Sequence, residues 1–475
     1  MSAIGLRVRT FLPMLEQDPV EAMRRVMVET RPQIVGFSFR NLDEAGFGIG
    51  PEEAEVTFID CLVDLVGAAK NGRALLVLGG AGFSIAPTEI LQITGSDMGF
   101  VGPSEMAFAN FCVRVVKLGE SPHEAARDIP NAAFPGHIPP SAVSAELGRP
   151  QGYSRDTIEW TKLTGGTIAV RTKTGCSRRC VYCVVPNIER QFFRSWGDIR
   201  AELAGIVECG LEDRVFVADG EFNLPSAEYA IAICRNIRRD FGEKIRWRCY
   251  LDPGSITVDL IDAMRASGCV GASLTSDSYT ETGRGGMKKG ASARDAVAAS
   301  EALIHSGIGT TINIILGGPG ETIETVTETA LTARRFMEAG ALIAVTIGLR
   351  VYPRTPLADM IKESCFKPFY RECERYRWLG TYCSPASPAD LYDVISQILP
   401  PCGKIHYTHH MESDDRAYYR DIAHGAKLLA DGNHTMAKMH FRSLTELHPT
   451  RLEARLGLLK AEVAGRRDIP SIPSD

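Results

Sequence analysis

Residues 167–185 read TIAVRTKTGCSRRCVYCVV. A short β-prone run leads directly into three cysteines, Cys176, Cys180 and Cys183, spaced CxxxCxxC. A strand that delivers reactive side chains from its C-terminal end is the habit of a βα barrel, whose strand-to-helix loops gather on one face. The spacing is too tight, and the number too odd, for a simple disulfide frame. A closed zinc site wants four ligands, and no fourth Cys or His lies nearby in sequence. A redox dithiol needs only two thiols. Three thiolates from one loop can hold three irons of a cubic four-iron, four-sulfur cluster, leaving the fourth iron open to an outside ligand.

Downstream the alternation continues. RVFVADGE (214–221), IRWRCYLD (245–252), CVGASLTSD (269–277), TTINIILGGPGE (310–321) and AVTIGLRVYP (344–353) are short apolar runs with helical patterns between them. Six such strands joined by crossover helices predict a partial (β/α)6 barrel over residues 161–358. Upstream, RVRTF (7–11), QIVGFSFR (33–40), ALLVLGG (74–80) and MGFVG (98–102) also alternate with helical stretches. They predict an α/β domain over residues 1–119, a Rossmann-like parallel sheet covered on both faces. Residues 120–160 shift to Pro, Gly, Ser and Ala, as in FPGHIPPSA, and read as a linker. Residues 359–475 open with the aromatic and charged FKPFYRECERYRW and then turn helical, which predicts a mostly helical C-terminal domain. Within it, residues 426–449 have the spacing of one helix-turn-helix unit, suited to packing or capping rather than to an array.

Composition narrows the partners. Lys plus Arg number 53 against 58 Asp plus Glu, a net charge of −5, so no field draws the surface toward nucleic acid or an anionic membrane. No apolar run approaches the roughly 18 residues of a spanning helix, and the N-terminus lacks the apolar core of a signal peptide. The expectation is a cytoplasmic protein with no nucleic-acid or membrane partner. Most of the 13 cysteines, Cys61, Cys112, Cys209 and Cys234 among them, sit in apolar settings that fit reduced core residues.

With Tyr182 before its last cysteine and a barrel strand before its first, the triplet resembles the radical S-adenosylmethionine (SAM) superfamily. The resemblance implies that Cys176, Cys180 and Cys183 hold the cluster, and that its open iron chelates the amino and carboxylate groups of SAM. It implies that Tyr182 packs by the adenine. ADGEF (218–222) resembles the family's Gly-Gly-Glu turn, which puts Gly220 and Glu221 near the methionine amine, with Asp219 in place of the first Gly. SLTSDS (273–278) falls where the family contacts ribose and carboxylate, which implicates Ser273, Thr275 and Ser276. NIILGGPGE (313–321) resembles the family's GxIxGxxxE motif with Asn313 for its first Gly. Ile315 and Gly317 would then border the adenine, Glu321 would brace the loop, and Val351 in VYPRTPL would meet the cofactor.

GFSFRNLD (36–43), LGGAGFSIAP (78–87) and GFVGPSE (99–105) resemble the cobalamin-binding Rossmann domain that precedes some radical SAM cores. By that likeness Gly79, Gly80 and Gly82 let the backbone approach a corrin tail, and Arg40 matches an arginine that faces cobalt in the tryptophan C-methyltransferase branch. The lower-ligand motif Asp-x-His-x-x-Gly is absent, and with the first strand so near the start of the sequence the expectation is a domain short of one βα unit. Weak or absent cobalamin binding is the expectation, with the front domain kept as a lid.

The resemblance implies a radical enzyme that cleaves SAM reductively, with an electron donor such as flavodoxin or ferredoxin. The expected reaction is hydrogen abstraction from a small polar metabolite in natural-product (antibiotic) biosynthesis, of the aminoglycoside-dehydration type. Cobalamin-dependent C-methylation and 3-amino-3-carboxypropyl transfer are the alternatives. Candidates for acid–base or hydrogen-donor work are Glu189, Tyr250, Asp252 and Tyr352. His406, His409 and His410 in IHYTHH read as exposed imidazoles on a surface strand.

Overall fold

The computed structural model describes residues 5–13, 16, 18–42, 58–70, 72–139, 153, 155–188, 191–363, 365–373, 375–407, 413–448 and 452–467. The front domain is a four-stranded sheet in sequential order, β1 (Ile34–Ser38), β2 (Leu75–Gly79), β3 (Met98–Phe100) and β4 (Ala132–Ala133). The first three strands are parallel, and β4 returns antiparallel to β3. Asp18 starts the preceding helix, Pro19–Thr30, by accepting from the N–H groups of Val20 and Glu21 at 3.1 and 2.9 Å. That helix and Phe58–Ala69 cover one face, where Met23, Ile59, Leu62 and Val66 meet Phe37 and Leu78. Helix Glu105–Leu118 covers part of the other, through Phe111 and Phe108 on Phe100.

The barrel is built from β5 (Ile168–Val170), β8 (Val215–Val217), β9 (Trp247–Leu251), β10 (Cys269–Asp277), β11 (Gly309–Leu316), β12 (Leu342–Ile347) and β16 (Ile405–Tyr407). All are parallel, in the order β16-β12-β11-β10-β9-β8-β5. A small hairpin, β6 (Lys173–Thr174) with β7 (Phe192–Phe193), stands at the end of β5. Alternation is clear in β9, where Trp247, Cys249 and Leu251 are buried under the helices while Arg248 and Tyr250 face the open lumen. Beyond β12 a three-stranded antiparallel sheet forms from β13 (Leu349–Val351), β14 (Tyr370–Glu372) and β15 (Gly380–Tyr382), in the order β13-β15-β14.

Several expectations of the sequence differ from this arrangement. RVRTF forms no strand. The segment read as a linker holds helix Pro122–Ala126 and β4, so the front sheet extends into it. AVTIGLRVYP is two strands, not one, because Gly348 at φ +81° turns the chain between β12 and β13. The barrel sheet gains a seventh strand, β16, beyond Ala358, reached through helix Pro388–Ile398. His406 lies exposed on that edge strand, while His409 and His410 lie outside the described residues.

The C-terminal helices Ser413–Ala430, His434–Leu447 and Leu452–Arg467 pack on helix Arg155–Thr164, just before β5. Their centre is Phe441, fully buried between Gly425 and Gly457, where an added Cβ would stand 2.3 Å from its ring in either case. Cys373, Tyr376 and Leu379 pack into the front-domain core, and polar contacts reinforce that link between late chain and front domain. Tyr376 Oη donates to Asp60 Oδ1 at 2.5 Å, with Arg375 3.1 Å from the same carboxylate, and Lys427 pairs with Glu16. Among the described residues no helix is long and apolar enough to cross a membrane. Phe441→Ala should empty the centre of the C-terminal bundle and lower its stability by about 3–5 kcal/mol, read as an early loss of amide protection over residues 413–467 in hydrogen exchange.

Candidate active site

The cysteine loop leaves β6 and is clamped by main-chain bonds. Val181 N–H donates to Met287 O at 3.1 Å, and Leu357 N–H donates to Val181 O at 2.9 Å. Within the loop, Cys183 N–H donates to Cys180 O at 3.1 Å. Cys180 is buried, and Cys176 and Cys183 are half-buried. Burial pushes all three thiols up, Cys180 to about 11 and Cys183 to about 12. Left without metal, these are neutral thiols, and binding iron would release their protons. Among the described residues no three His, Cys, Asp or Glu side chains are gathered so as to hold a single metal ion. A four-iron cube sets a different requirement, because each thiolate bonds its own iron and the ligands stand apart around it.

Two ionisable groups face this loop. Glu221, just after β8, accepts from Thr275 Oγ1 at 2.7 Å through one oxygen, and its other oxygen is buried with no partner. Burial raises its carboxyl to about 8. Lys289, almost wholly buried, lies 3.0 Å from Asp277 Oδ2, which also accepts from Tyr182 Oη at 2.5 Å. Burial works against the Lys289 charge, but Asp277, then Cys180 and Glu221, outweigh it and hold the ammonium above its ordinary range. An unpartnered carboxylate oxygen and a buried ammonium beside one set of thiols complement a ligand that carries both an amine and a carboxylate. Lys289 escapes sequence reading: in GMKKG nothing separates it from Lys288 until the fold buries one of them.

Behind the loop lies a second buried pair. Lys173 Nζ is 2.7 Å from Asp219 Oδ2, and neither side chain has appreciable exposure. Asp219 also accepts from Thr172 N–H at 2.8 Å, Lys173 N–H at 3.2 Å and the Thr172 hydroxyl.

In the front domain a cavity of about 420 Å³ opens at the C-terminal ends of the strands. Gly36, Ser38, Gly79, Gly102 and Phe108 line it, together with Arg171 from the barrel. Its two motif glycines differ in kind. Gly80, at φ +89°, packs so close that a Cβ would stand 2.4 Å from Phe39 O. Gly79 is extended and a Cβ there would meet nothing within 4 Å, so its missing side chain leaves room in the cavity itself. Arg40 follows β1 and is exposed.

Residues 170–333 match the model of the radical SAM superfamily. These residues form a radical SAM domain. The chain is 25% identical over 415 residues to tryptophan 2-C-methyltransferase of Streptomyces laurentii, covering 73% of this chain and 67% of that one. A 56-residue stretch, 12% of this chain and 13% of the relative, is 41% identical to the ribosomal protein uS12 methylthiotransferase RimO of Desulfosudis oleivorans. In fold it is similar to the radical SAM methyltransferase TsrM from Kitasatospora setae, solved with tryptophan substrate and a SAM analog. The TM-score is 0.71 at 20% identity, over 90% of this chain and 94% of that one. It is also similar to the cobalamin-dependent enzyme OxsB with aqua-cobalamin bound, with a TM-score of 0.59 at 13% identity over 95% and 74%. Both likenesses run through front domain and barrel alike, so the architecture is a cobalamin-binding-type domain followed by a radical SAM barrel.

A radical SAM enzyme works with a four-iron cluster and SAM, and the residues expected around them are mostly brought together. Tyr182, Ile315 and Val351 share one apolar cluster with Val181 and Met287. Ser273 and Thr275 lie on the lumen side of β10, opposite Tyr250 and Asn313 respectively. Gly220 is beside the cluster loop, where an added Cβ would be 3.6 Å from the Cys176 Cβ. Gly317, at φ +92°, and Gly318 each donate an N–H at 2.8 Å to Glu321, which braces the turn. Ser276 departs from this pattern: it is fully buried, taking a bond from Tyr279 Oη at 3.2 Å while its carbonyl accepts from Arg284 at 2.6 Å.

The catalytic candidates fare differently. Asp252 is occupied by a two-bond pair with Arg178 at 2.7 and 2.9 Å and by Gly254 N–H at 2.8 Å, so it anchors the cysteine loop rather than offering a free base. Tyr250 is exposed in the lumen against Phe216. Tyr352 accepts from Arg350 at 2.9 Å and packs on the front-domain core. Glu189 lies outside the described residues.

Changing any one of Cys176, Cys180 and Cys183 to Ala should abolish the cluster's iron and its absorbance after anaerobic reconstitution, whereas Cys383→Ala and Cys402→Ala should leave both intact. Glu321 supplies a pH test. Burial raises its carboxyl to about 7 from an ordinary 4.5, so between those values the folded chain holds a proton that the unfolded chain releases. Its contribution to stability is present at low pH and is lost as pH rises through that window. Tm measured against pH should therefore fall more steeply there for the native chain than for Glu321→Gln.

Proposed function

We propose that this chain is a cobalamin-dependent radical SAM C-methyltransferase acting on a small polar molecule. The observation that carries the reading is the cavity of about 420 Å³ over β1 and β2, with Gly79 leaving its wall open and Arg171 of the barrel at its rim. A space bounded by glycines, serines and main chain at the C-terminal ends of parallel strands suits the tail of a bulky cofactor. Bound there, the corrin would supply a cobalt that carries the methyl group from SAM to substrate carbon. The relative of Streptomyces laurentii is named for methylation of tryptophan at C2, which favours an aromatic or amino-acid-like substrate for this chain too.

This reading replaces the expectation of a front domain without cobalamin. Among the described residues β1 is the edge strand of the front sheet. The cavity persists because helix Glu105–Leu118 still roofs the sheet and the barrel closes the open side. Hydrogen abstraction with release of 5′-deoxyadenosine is the competing reading, and the absence of an Asp-x-His-x-x-Gly motif is what favours it.

In the core, Cys176, Cys180 and Cys183 hold the cluster. Glu221 receives the SAM amine on its unpartnered oxygen, and Lys289 offers its ammonium to the carboxylate. Tyr182, Ile315 and Val351 form the apolar wall for the adenine, and Ser273 and Thr275 stand by the ribose. Arg40 and Gly79 face the corrin. A flavodoxin- or ferredoxin-type donor supplies the reducing electron.

The test is direct. Protein reconstituted anaerobically, incubated with hydroxocobalamin and desalted should keep about one corrin per chain by its visible spectrum. Gly79→Phe, which fits the extended backbone and fills the cavity, should lose the corrin by at least tenfold in affinity with iron unchanged. A native chain that retains none, and that yields 5′-deoxyadenosine rather than S-adenosylhomocysteine, would return the function to hydrogen abstraction.

A further inference from the structure

We propose that Lys173 and Asp219 are positioning residues for the cluster, a neutral buried pair that joins the cysteine loop to the turn carrying Glu221 and fixes the charge beside the iron. Asp219 stands where the family's turn has a glycine, so the carboxylate is a feature of this chain. Its two oxygens take four donors: Thr172 N–H, Lys173 N–H, the Thr172 hydroxyl and Lys173 Nζ. That fills the acceptor capacity of a carboxylate. Lys173 Nζ makes a further bond to Phe222 O at 3.0 Å and lies 4.9 Å from the centre of the Tyr229 ring. Tyr229 Oη in turn donates to Thr172 O or its hydroxyl, at 3.2 and 3.0 Å.

The pair bridges two segments that each end at the site. Lys173 is three residues before Cys176, and Asp219 is two residues before Glu221. Between them, a Cβ added at Gly220 would lie 3.6 Å from the Cys176 Cβ. Any shift of one segment is therefore passed to the other. Stability alone does not account for the pair, because removing two charges from water costs as much as their attraction returns, and an apolar pair of similar volume packs at least as well. What an apolar pair cannot do is hold four main-chain and side-chain donors at fixed angles beside a metal ligand. Such outer partners typically matter by 10- to 100-fold in metal affinity or activity.

The charges also give the pair a signature. Reduction adds one electron to the cluster. Lys173→Met leaves an unmatched carboxylate nearby and should make that electron harder to add; Asp219→Asn leaves an unmatched ammonium and should make it easier. The double variant is neutral again. The inference rests on the cluster and not on methyl transfer, so cobalamin-free protein serves for the test.

The full chain and its variants would be reconstituted anaerobically, assayed for iron, and titrated electrochemically with the reduced cluster followed by electron paramagnetic resonance. The expected result is a lower midpoint potential for Lys173→Met, a higher one for Asp219→Asn, and a return toward the native value in the double variant. SAM-induced changes in the spectrum should weaken in both single variants. Lys173→Arg keeps the charge and should keep the native potential. Should Lys173→Met fail to fold, Asp219→Asn and Lys173→Arg still make the comparison. Single variants that shift in the same direction, or that leave potential and iron content unmoved, would overturn the proposal.

Discussion

The main-chain clamp on Val181 is the constraint on which the rest depends. Its N–H reaches Met287 beyond β10 and its carbonyl takes the N–H of Leu357 beyond β13. The cysteine loop is thereby tied to the far half of the barrel, although it grows from the first strand. Arg178 adds a charged tether to Asp252 after β9. Ligands supplied by a loop can be placed as firmly as ligands on a strand when the loop's own backbone is bonded on both sides. The open lumen is then free to serve chemistry, because rigidity comes from the rim.

Around that rim the chain buries more charge than a stable fold requires. Glu221, Asp219, Asp252, Asp277, Lys173 and Lys289 all lie at or near the ends of strands or the loops that follow them. Each is paired, hydrogen-bonded or left with one oxygen unmatched. The unmatched atoms are the informative ones, since a buried polar atom without a partner costs free energy unless a ligand completes it. Glu221 is such a case at the cluster loop. Asp219, in contrast, is saturated from within, which separates a residue that waits for a ligand from one that holds the frame.

Much of the fold was legible because parallel strands buried under helices announce themselves as short β-branched runs, and because three cysteines in eight residues have few structural uses. The front sheet, the barrel strands and the cluster loop follow from those two signals. What escaped was decided by long-range packing. Strand β16 is only three residues long and belongs to the barrel solely because β12 offers it an edge. Gly348 splits what reads as one apolar strand. Asp252 looks like a base in sequence, and its bond to Arg178, 74 positions away, is invisible there. Lys289 and Lys173 become functional candidates only once burial sets them apart from lysines that look the same on paper.

The links from Tyr376 to Asp60 and from Lys427 to Glu16 bear on how the molecule is made. Synthesis runs from the N-terminus, so the front domain exists long before residues 376 and 427 emerge to fasten it. Until then its sheet lacks these late anchors. The order of translation thus sets the front domain's own fold ahead of the contacts that fasten it, and the last quarter of the chain joins parts that have already been made.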